Sequence, residues 1–395
     1  MEGQIKNRLG MSKNGKHEPI RVVHYIGALE LGGSQSFVME LYRNIDRSKI
    51  QFDFIVFEGW RGDLYDEIEK LGGEVYDSPK YNGLNHLKYT NWWNMFLKDH
   101  PEYQVVHGHV RSVASIYLPI IKKYGRFSIL HSHSASNGHG LLAVIKFFLQ
   151  LPVRHQADFY MACSDAAGRW LFGEKVFKST KYQTVPNAIN TDRFAFDSDI
   201  RDKIRKEYGL ESILVIGHVG RFYEVKNQSF LLDVLEECLQ TRKDVKLMLV
   251  GDGPMRDEIE LKTKSKGLDS YVLFIGARTD TEKYYNAMDV FAFPSLWEGL
   301  GIAVIEAQIC GLHCVVSEGI PVTVDINAGL VSRLPLESGQ KVWSENILRA
   351  DLKDRSSHVT EAKESGYDIK NNAVKMQGFY MKEAKRTDNR SGERL

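Results

Sequence analysis

The sequence predicts an α/β protein built from two doubly wound, Rossmann-like domains, and three observations carry that prediction. From Ile20 onward, short runs of β-branched and aromatic residues alternate with longer amphipathic segments, the pattern of a parallel sheet with helices on both faces. The series is interrupted at VPNAINTDRFAFDSD, where Pro186, Asn187 and Asn190 are turn formers and apolar periodicity is lost. A chain of 395 residues is also too long for one ordinary core.

In chain order, IRVVHYI, QFDFIVF, GEVYD, YQVVHGH, FSILHSH, DFYMACS and KYQTV read as strands. Helical spacing falls near residues 34–44, 62–71, 84–99, 112–123 and 139–154. After the break, ILVIGHVG, VKLMLVG, YVLFIGA, DVFAFPS and HCVVS are the strands of a second series, with helices near 228–241, 254–266, 281–287 and 302–310. Beyond Ser317 the pattern weakens until GYDIKNNAVKMQGFYMKEA, which sets Ile369, Ala373, Met376 and Tyr380 on one helical face. The predicted organisation is a flexible N-terminus (1–18), a first domain (19–190), a second (191–365), a C-terminal helix (366–386) and a solvated tail (387–395). A ligand is expected in a cleft at the carboxyl ends of the strands.

Composition narrows the function. The chain is 43% hydrophobic and 26% charged, with 33 glycines, a globular balance. Its 52 Lys and Arg nearly cancel its 51 Asp and Glu, which argues against bulk affinity for nucleic acid, so an anionic ligand must be met locally. Cys163, Cys238, Cys310 and Cys314 lack CxxC spacing and sit in apolar runs, as core residues of a reducing compartment do. The N-terminus lacks the apolar stretch of a signal peptide and no segment is long enough to span a bilayer, so a cytoplasmic protein is expected.

The chemistry concentrates in SLWEGLGIAVIEAQ, where Glu298 and Glu306 have seven residues between them. With Gly299 and Gly301 as a turn and Ile302 as a helix start, the carboxylates stand on the order of 10 Å apart, at about 1.5 Å of rise per residue. That separation suits two ends of one long ligand. Glycosidase carboxylates stand roughly 5 to 9.5 Å apart. Glycine amides at the helix start offer an anion site between the two, the layout of a molecule with hydroxyls at both ends and a diphosphate in the middle. The bland alternative is a capping Glu298 and a solvated Glu306.

Three further signals accompany it. In GHVGRFYEVKN, Arg221 and Lys226 follow a strand and form a pair of cations able to grip a diphosphate. The Gly32–Gly33 pair with Ser34 opens the first helix, but it is not GxGxxG and no acidic residue ends the second strand, so a dinucleotide cofactor is disfavoured. His107 and His109, His131 and His133, with His139 nearby, lie at strand ends with i, i+2 spacing, which raises a metal site. No Asp, Glu or Cys joins them locally. Hydrogen-bonded imidazoles are the expected reading, with neutral donation to a sugar hydroxyl between the extremes.

Taken together, Glu298 and Glu306 with EGLG between, GRxxxxKN at Gly220–Asn227, VGDGP at Val250–Pro254, the Gly32 loop and VPNAIN resemble the GT-B fold, retaining glycosyltransferases of family 4, in particular bacterial enzymes of exopolysaccharide and capsule synthesis. The resemblance covers about residues 20 to 317. It implies that Arg221 and Lys226 neutralise the donor diphosphate. Glu306 binds the ribose, and Glu298 with Gly299, Leu300 and Gly301 holds the donor sugar. Gly33 approaches the phosphates, His131 lies near the transferred sugar, and the base sits near Gly276 to Arg278. His109 and His133 are candidates toward the acceptor. The implied reaction transfers a hexose-type sugar from a nucleotide diphosphate donor, a UDP-sugar, to a glycan or polyprenyl-linked saccharide with retention of configuration. The leaving phosphate takes the acceptor's proton, without metal or other cofactor. By the same resemblance the C-terminal helix crosses back to the first domain. One stretch departs from the family: SEGIPVTVDINAG stands where many relatives have a Gly-Gly turn and an acidic residue.

GLLAVIKFFLQLPVRH, residues 140–155, is apolar on most faces and carries flanking cations. It is either a buried helix or a peripheral contact at the inner face of the membrane. Two other functions compete with transfer: a sugar-nucleotide epimerase of the same two-domain form, and a catalytically silent sugar-nucleotide-binding protein.

Overall fold

The computed structural model describes residues 18–29, 33–59, 62, 64–133, 150–350 and 355–392. Gly32, His139, most of the apolar 140–155 segment, the first seventeen residues and the last three lie outside the described residues. Two compact units emerge, Met1–Ile189 with Ile369–Leu395, and Asn190–Asp368.

In the first unit the strands and helices run β1 (Ile20–Gly27), α1 (Gly33–Asn44), β2 (Ile50–Phe57), α2 (Tyr65–Lys70), β3 (Val75–Ser78), α3 (His86–Asp99), β4 (Val105–Gly108), α4 (Ala114–Lys123), β5 (Phe127–Ser132), β6 (Phe159–Ala162), α5 (Asp165–Phe177) and β7 (Tyr182–Thr184). Its seven strands lie in the order β3-β2-β1-β4-β5-β6-β7, and the pairings are parallel. The central strands are buried along nearly their whole length because helices cover both faces. The order reverses between β1 and β4, where the register sets His24 beside His107. Crossover helices leave in opposite directions from such a pair and open a crevice at its carboxyl end.

The second unit runs α6 (Ser198–Glu207), β8 (Leu214–Val219), α7 (Gln228–Thr241), β9 (Val245–Val250), α8 (Arg256–Ser265), β10 (Val272–Gly276), α9 (Thr281–Ala287), β11 (Val290–Phe293), α10 (Ile302–Ile309), β12 (His313–Ser317), β13 (Val331–Leu334), α11 (Gly339–Arg349) and α12 (Val359–Glu364). Its sheet is again parallel, ordered β10-β9-β8-β11-β12-β13. All four cysteines are buried and free.

The last helix, α13 (Ile369–Gly392), belongs to the first unit. Ile369, Ala373, Met376, Tyr380 and Ala384 enter the core that holds Val22, Phe52 and Val105. This corrects the expected 366–386 helix and 387–395 tail: the helix starts later and continues through residue 392. Its extension is anchored where Thr387 is buried and its hydroxyl donates to the Glu383 carbonyl at 2.9 Å.

Five elements lack a clear periodic signal: α5, α6, β13, α11 and α12. Helix α5 is broken by Gly173, at φ 75°. Helix α6, SDIRDKIRKE, has little apolar sequence. It is held instead by an Asp197 cap and by Arg205, which donates to the carbonyls of Ala287, Leu210 and Ile213.

Candidate functional site

Within the second unit, two loops that are remote in sequence are tied together through their backbones. After β8, Gly220 N donates to Val250 O at 3.0 Å and Phe222 N to Asp252 O at 2.9 Å, so the Arg221 loop runs beside VGDGP. The approach requires glycine. A Cβ on Gly251 would stand 2.0 Å from the Gly220 carbonyl oxygen, and one on Gly253 2.7 Å from that of Phe222. Asn227, left-handed at φ 54°, turns the chain into α7 and donates to Pro294 O at 3.3 Å. Leu296 N donates to Val225 O at 2.8 Å. GRFYEVKN is thereby fastened to FPSLWEG.

That fastening brings Lys226 Nζ within 2.5 Å of Glu298 Oε1 and places it 4.9 Å from the centre of the Phe293 ring. Arg221 is different. It is exposed, donates to the Tyr223 hydroxyl at 2.9 Å and lies over that ring, and among the described residues no carboxylate pairs with it. One of the two expected diphosphate cations is thus neutralised within the protein and the other is open.

The Glu298 loop is supported from behind by residues that the motifs did not single out. Glu298 N donates to Gly319 O at 3.2 Å, and a Cβ on Gly319 would meet the Leu296 carbonyl oxygen at 2.2 Å. Gly319 belongs to SEGIPV, the stretch that departs from the resembled family, and here it backs the site. Gly299 and Leu300 lead to Gly301, whose φ of 86° suits glycine at the start of α10.

Glu306, half-buried on α10, accepts a hydrogen bond from the Tyr285 hydroxyl at 2.7 Å. Burial raises its carboxyl to about 7, against the opposing pull of Tyr285 and the Arg193 charge. Arg193 itself pairs with Glu282, Nε to Oε2 at 2.9 Å. Tyr285, Arg193 and Glu282 escaped sequence reasoning because α9, which bears Tyr285 and Glu282, and the short turn bearing Arg193 carry no motif. Gly276 ends β10 at φ 83°, while exposed Arg278 pairs with Asp280 at 2.8 and 2.9 Å. Among the described residues no hydrogen bond joins Arg278 to Glu298 or Glu306.

Within the first unit, Gly33 begins α1. The expected histidines converge at the carboxyl ends of β1, β4 and β5, and His24 joins them. His131 lies inside β5, fully buried. His24 Nδ1 is 3.1 Å from His109 Nε2, and His109 Nδ1 is 2.8 Å from His133 Nε2. Tyr380 Oη is 2.8 Å from His107 Nδ1, whose Nε2 is 3.3 Å from His131 Nδ1. The bonded pairs have interplanar angles of 13°, 28° and 10°. These are two in-plane strings of imidazoles, and they stack on each other through His107 on His109 and His131 on His133, with ring centres 4.4 and 4.1 Å apart.

Burial pushes all five imidazoles down, His24 and His133 to about 3, so they are neutral at ordinary pH. His24, His107 and His109, and likewise His109, His131 and His133, each bring one nitrogen per residue within 4.8 Å of one another. Lone pairs lie in the ring planes, so near-parallel rings do not aim at one point. His109, common to both sets, has both nitrogens engaged, to His24 and His133, so ligation through it would break one of those bonds.

A family profile described as "Glycosyltransferase Family 4" matches residues 31–193, and one described as "Glycosyl transferases group 1" matches residues 213–338. The protein named glycosyltransferase EpsF of Bacillus subtilis is 32% identical over 94% of this chain and 98% of its own length. The capsular polysaccharide biosynthesis glycosyltransferase CapH of Staphylococcus aureus is 25% identical over 92% of this chain and 99% of its own. Among solved structures, Anabaena HepE in complex with UDP superposes with a TM-score of 0.69 at 18% identity, covering 95% of this chain and 99% of HepE. The same protein has been solved with UDP-glucose (TM-score 0.66, 17% identity, 94% of this chain and 99% of HepE). These likenesses establish the GT-B fold.

Proposed function

The chain belongs to the family 4 glycosyltransferases, and on that premise we propose that it transfers a hexose-type sugar from a UDP-sugar to a glycan or polyprenyl-linked saccharide in bacterial polysaccharide synthesis. The observation that carries this reading is the joined pair of loops that sets Arg221, Lys226 and Glu298 ahead of the helix bearing Glu306. The name of CapH supports the pathway class, and the UDP bound to HepE supports the donor.

In this reading Arg221 and Lys226 hold the diphosphate, with Arg221 as the open cation. Glu298 and the Gly299, Leu300 and Gly301 segment meet the donor sugar, Glu306 the ribose, and Gly276 with Arg278 the base. In the same reading Gly33 is a donor-binding residue, His131 a residue for the transferred sugar, and His109 and His133 residues for the acceptor. Transfer proceeds with retention by departure of the diphosphate, whose developing charge Arg221, Lys226 and the helix-start amides stabilise. The departing phosphate takes the acceptor's proton, so no metal is called for. An acceptor carried on a lipid would bring a cytoplasmic enzyme to the inner face of the membrane. Among the described residues no helix is long and apolar enough to cross a membrane.

The test is a panel of nucleotide sugars in thermal-shift assays, because a bound donor raises stability by mass action. It is followed by transfer to a polyprenyl-linked acceptor with EDTA present and NMR of the product anomer. UDP-sugars should raise the melting temperature and yield a retained product. A panel that shifts nothing, or product formed only with added metal or without acceptor, would overturn the reading.

A further inference from the structure

The string Tyr380–His107–His131 has a direction, and Tyr380 sets it. The hydroxyl is fully buried on α13, and among the described residues its hydrogen-bond partner is His107 Nδ1 at 2.8 Å. A buried O–H with no acceptor forfeits its only donated bond, whereas a phenol oxygen with no donor forfeits a weak acceptance. Burial keeps the phenol protonated, far above the ordinary tyrosine range, and keeps His107 neutral. Either direction leaves one donor free, the Tyr380 O–H or the far ring nitrogen of His131; the first would be shut among Phe52 and Phe379 in the core, whereas the second is at the end of the string that a ligand can meet, so Tyr380 donates to His107 Nδ1.

A neutral imidazole has one N–H, so the His107 proton is on Nε2. That N–H faces His131 Nδ1 at 3.3 Å and donates to it. The proton of His131 is then on Nε2, a buried nitrogen with no hydrogen-bond partner among the described residues. The second string stacks against the first at ring distance and makes no hydrogen bond to it among the described residues, so it leaves this order of protons intact.

We propose that Tyr380, acting through His107 as a positioning residue, holds His131 in the Nε2–H tautomer, so that His131 presents a hydrogen-bond donor to an oxygen of the bound sugar nucleotide. The place of His131 beside that ligand rests on the function proposed above. The consequence concerns mechanism: His131 stabilises charge or binds a hydroxyl or phosphate oxygen, and it does not serve as the base that accepts the acceptor's proton.

The test is a long-range proton–nitrogen correlation spectrum of the full-length protein carrying nitrogen-15 histidine, without substrate at neutral pH, with peaks assigned from His107→Gln and His131→Gln. In the wild type, both His107 and His131 should be protonated on Nε2 and bare on Nδ1. Tyr380→Phe keeps the ring and removes the donor, and the tautomer ratio at His131 should move about tenfold toward Nδ1–H, the worth of one ordinary hydrogen bond. A wild-type His131 protonated on Nδ1 overturns the proposal, as does an unchanged ratio in a Tyr380→Phe protein that melts normally. Should that variant not fold, the wild-type spectrum decides alone. No donor is used, so a failed transfer assay would sink the functional reading and leave the tautomer result standing.

Discussion

Lys226 Nζ and Glu298 Oε1 stand 2.5 Å apart although 72 residues separate them in sequence. The pair joins the group expected at the diphosphate to the group expected at the sugar, so a bound diphosphate must compete with Glu298 for the ammonium. On the proposed function the two residues are expected to act together. Lys226→Ala and Glu298→Gln should each lower kcat/KM, the former by about 10²- to 10³-fold, as for loss of one charge-stabilising donor. The double variant should lose clearly less than the product of the two losses. Strictly multiplicative losses in that cycle would show that the pair is not coupled in turnover.

Arg221 is exposed and unpaired with carboxylate among the described residues, so its removal should cost the fold little. Arg221→Ala should stay within about 0.5 kcal/mol of wild-type stability while weakening UDP binding about tenfold in calorimetry, less so at high salt. An unchanged Kd would remove Arg221 from the diphosphate.

Glu306 titrates near 7 in the folded chain against an ordinary value of 4.5, because burial disfavours its charge. The folded state therefore binds more protons than the unfolded state, and this carboxyl's effect on stability worsens as pH rises from about 4.5 through about 7. Glu306→Gln keeps an acceptor for Tyr285 and cannot ionise. Between pH 5 and 8 its Tm should fall by less than the wild type's. Parallel Tm curves would contradict the assignment.

Gly319→Ala places a Cβ 2.2 Å from the Leu296 carbonyl oxygen. Backbone must move, at a cost of about 1–3 kcal/mol by the usual price of overpacking, and the donor KM should rise because Glu298 hangs from the Gly319 carbonyl. Gly378→Ala, at an exposed position of α13 where a Cβ meets nothing within 4 Å, is the control and should be neutral or stabilising. Equal melting shifts in the two variants would rule out the contact as the cause.

Much of this architecture was legible before any coordinates. Buried parallel strands must be continuous apolar runs, so IRVVHYI and DVFAFPS declare themselves. Glycines likewise mark VGDGP, where Gly251 and Gly253 permit backbone contact, and EGLG, where Gly301 is left-handed at φ 86°. Helix α6 was not legible, since its anchors are an Asp197 cap and the reach of Arg205 to distant carbonyls. Nor was β13, only half-buried at a sheet edge.

Two doubly wound units, the residue types of the proposed diphosphate-and-sugar site and their order along the chain are all readable from the amino-acid sequence. Which of those residues touch is settled by the packing of the folded chain. Lys226 meets Glu298, Tyr285 meets Glu306, Gly319 carries the Glu298 loop, and His24 and Tyr380 complete the histidine strings. The reason is physical: periodicity reports which face of an element is buried, whereas contacts between loops depend on strand order and register. Those are set by the packing of the whole sheet and leave no local mark on the residues concerned.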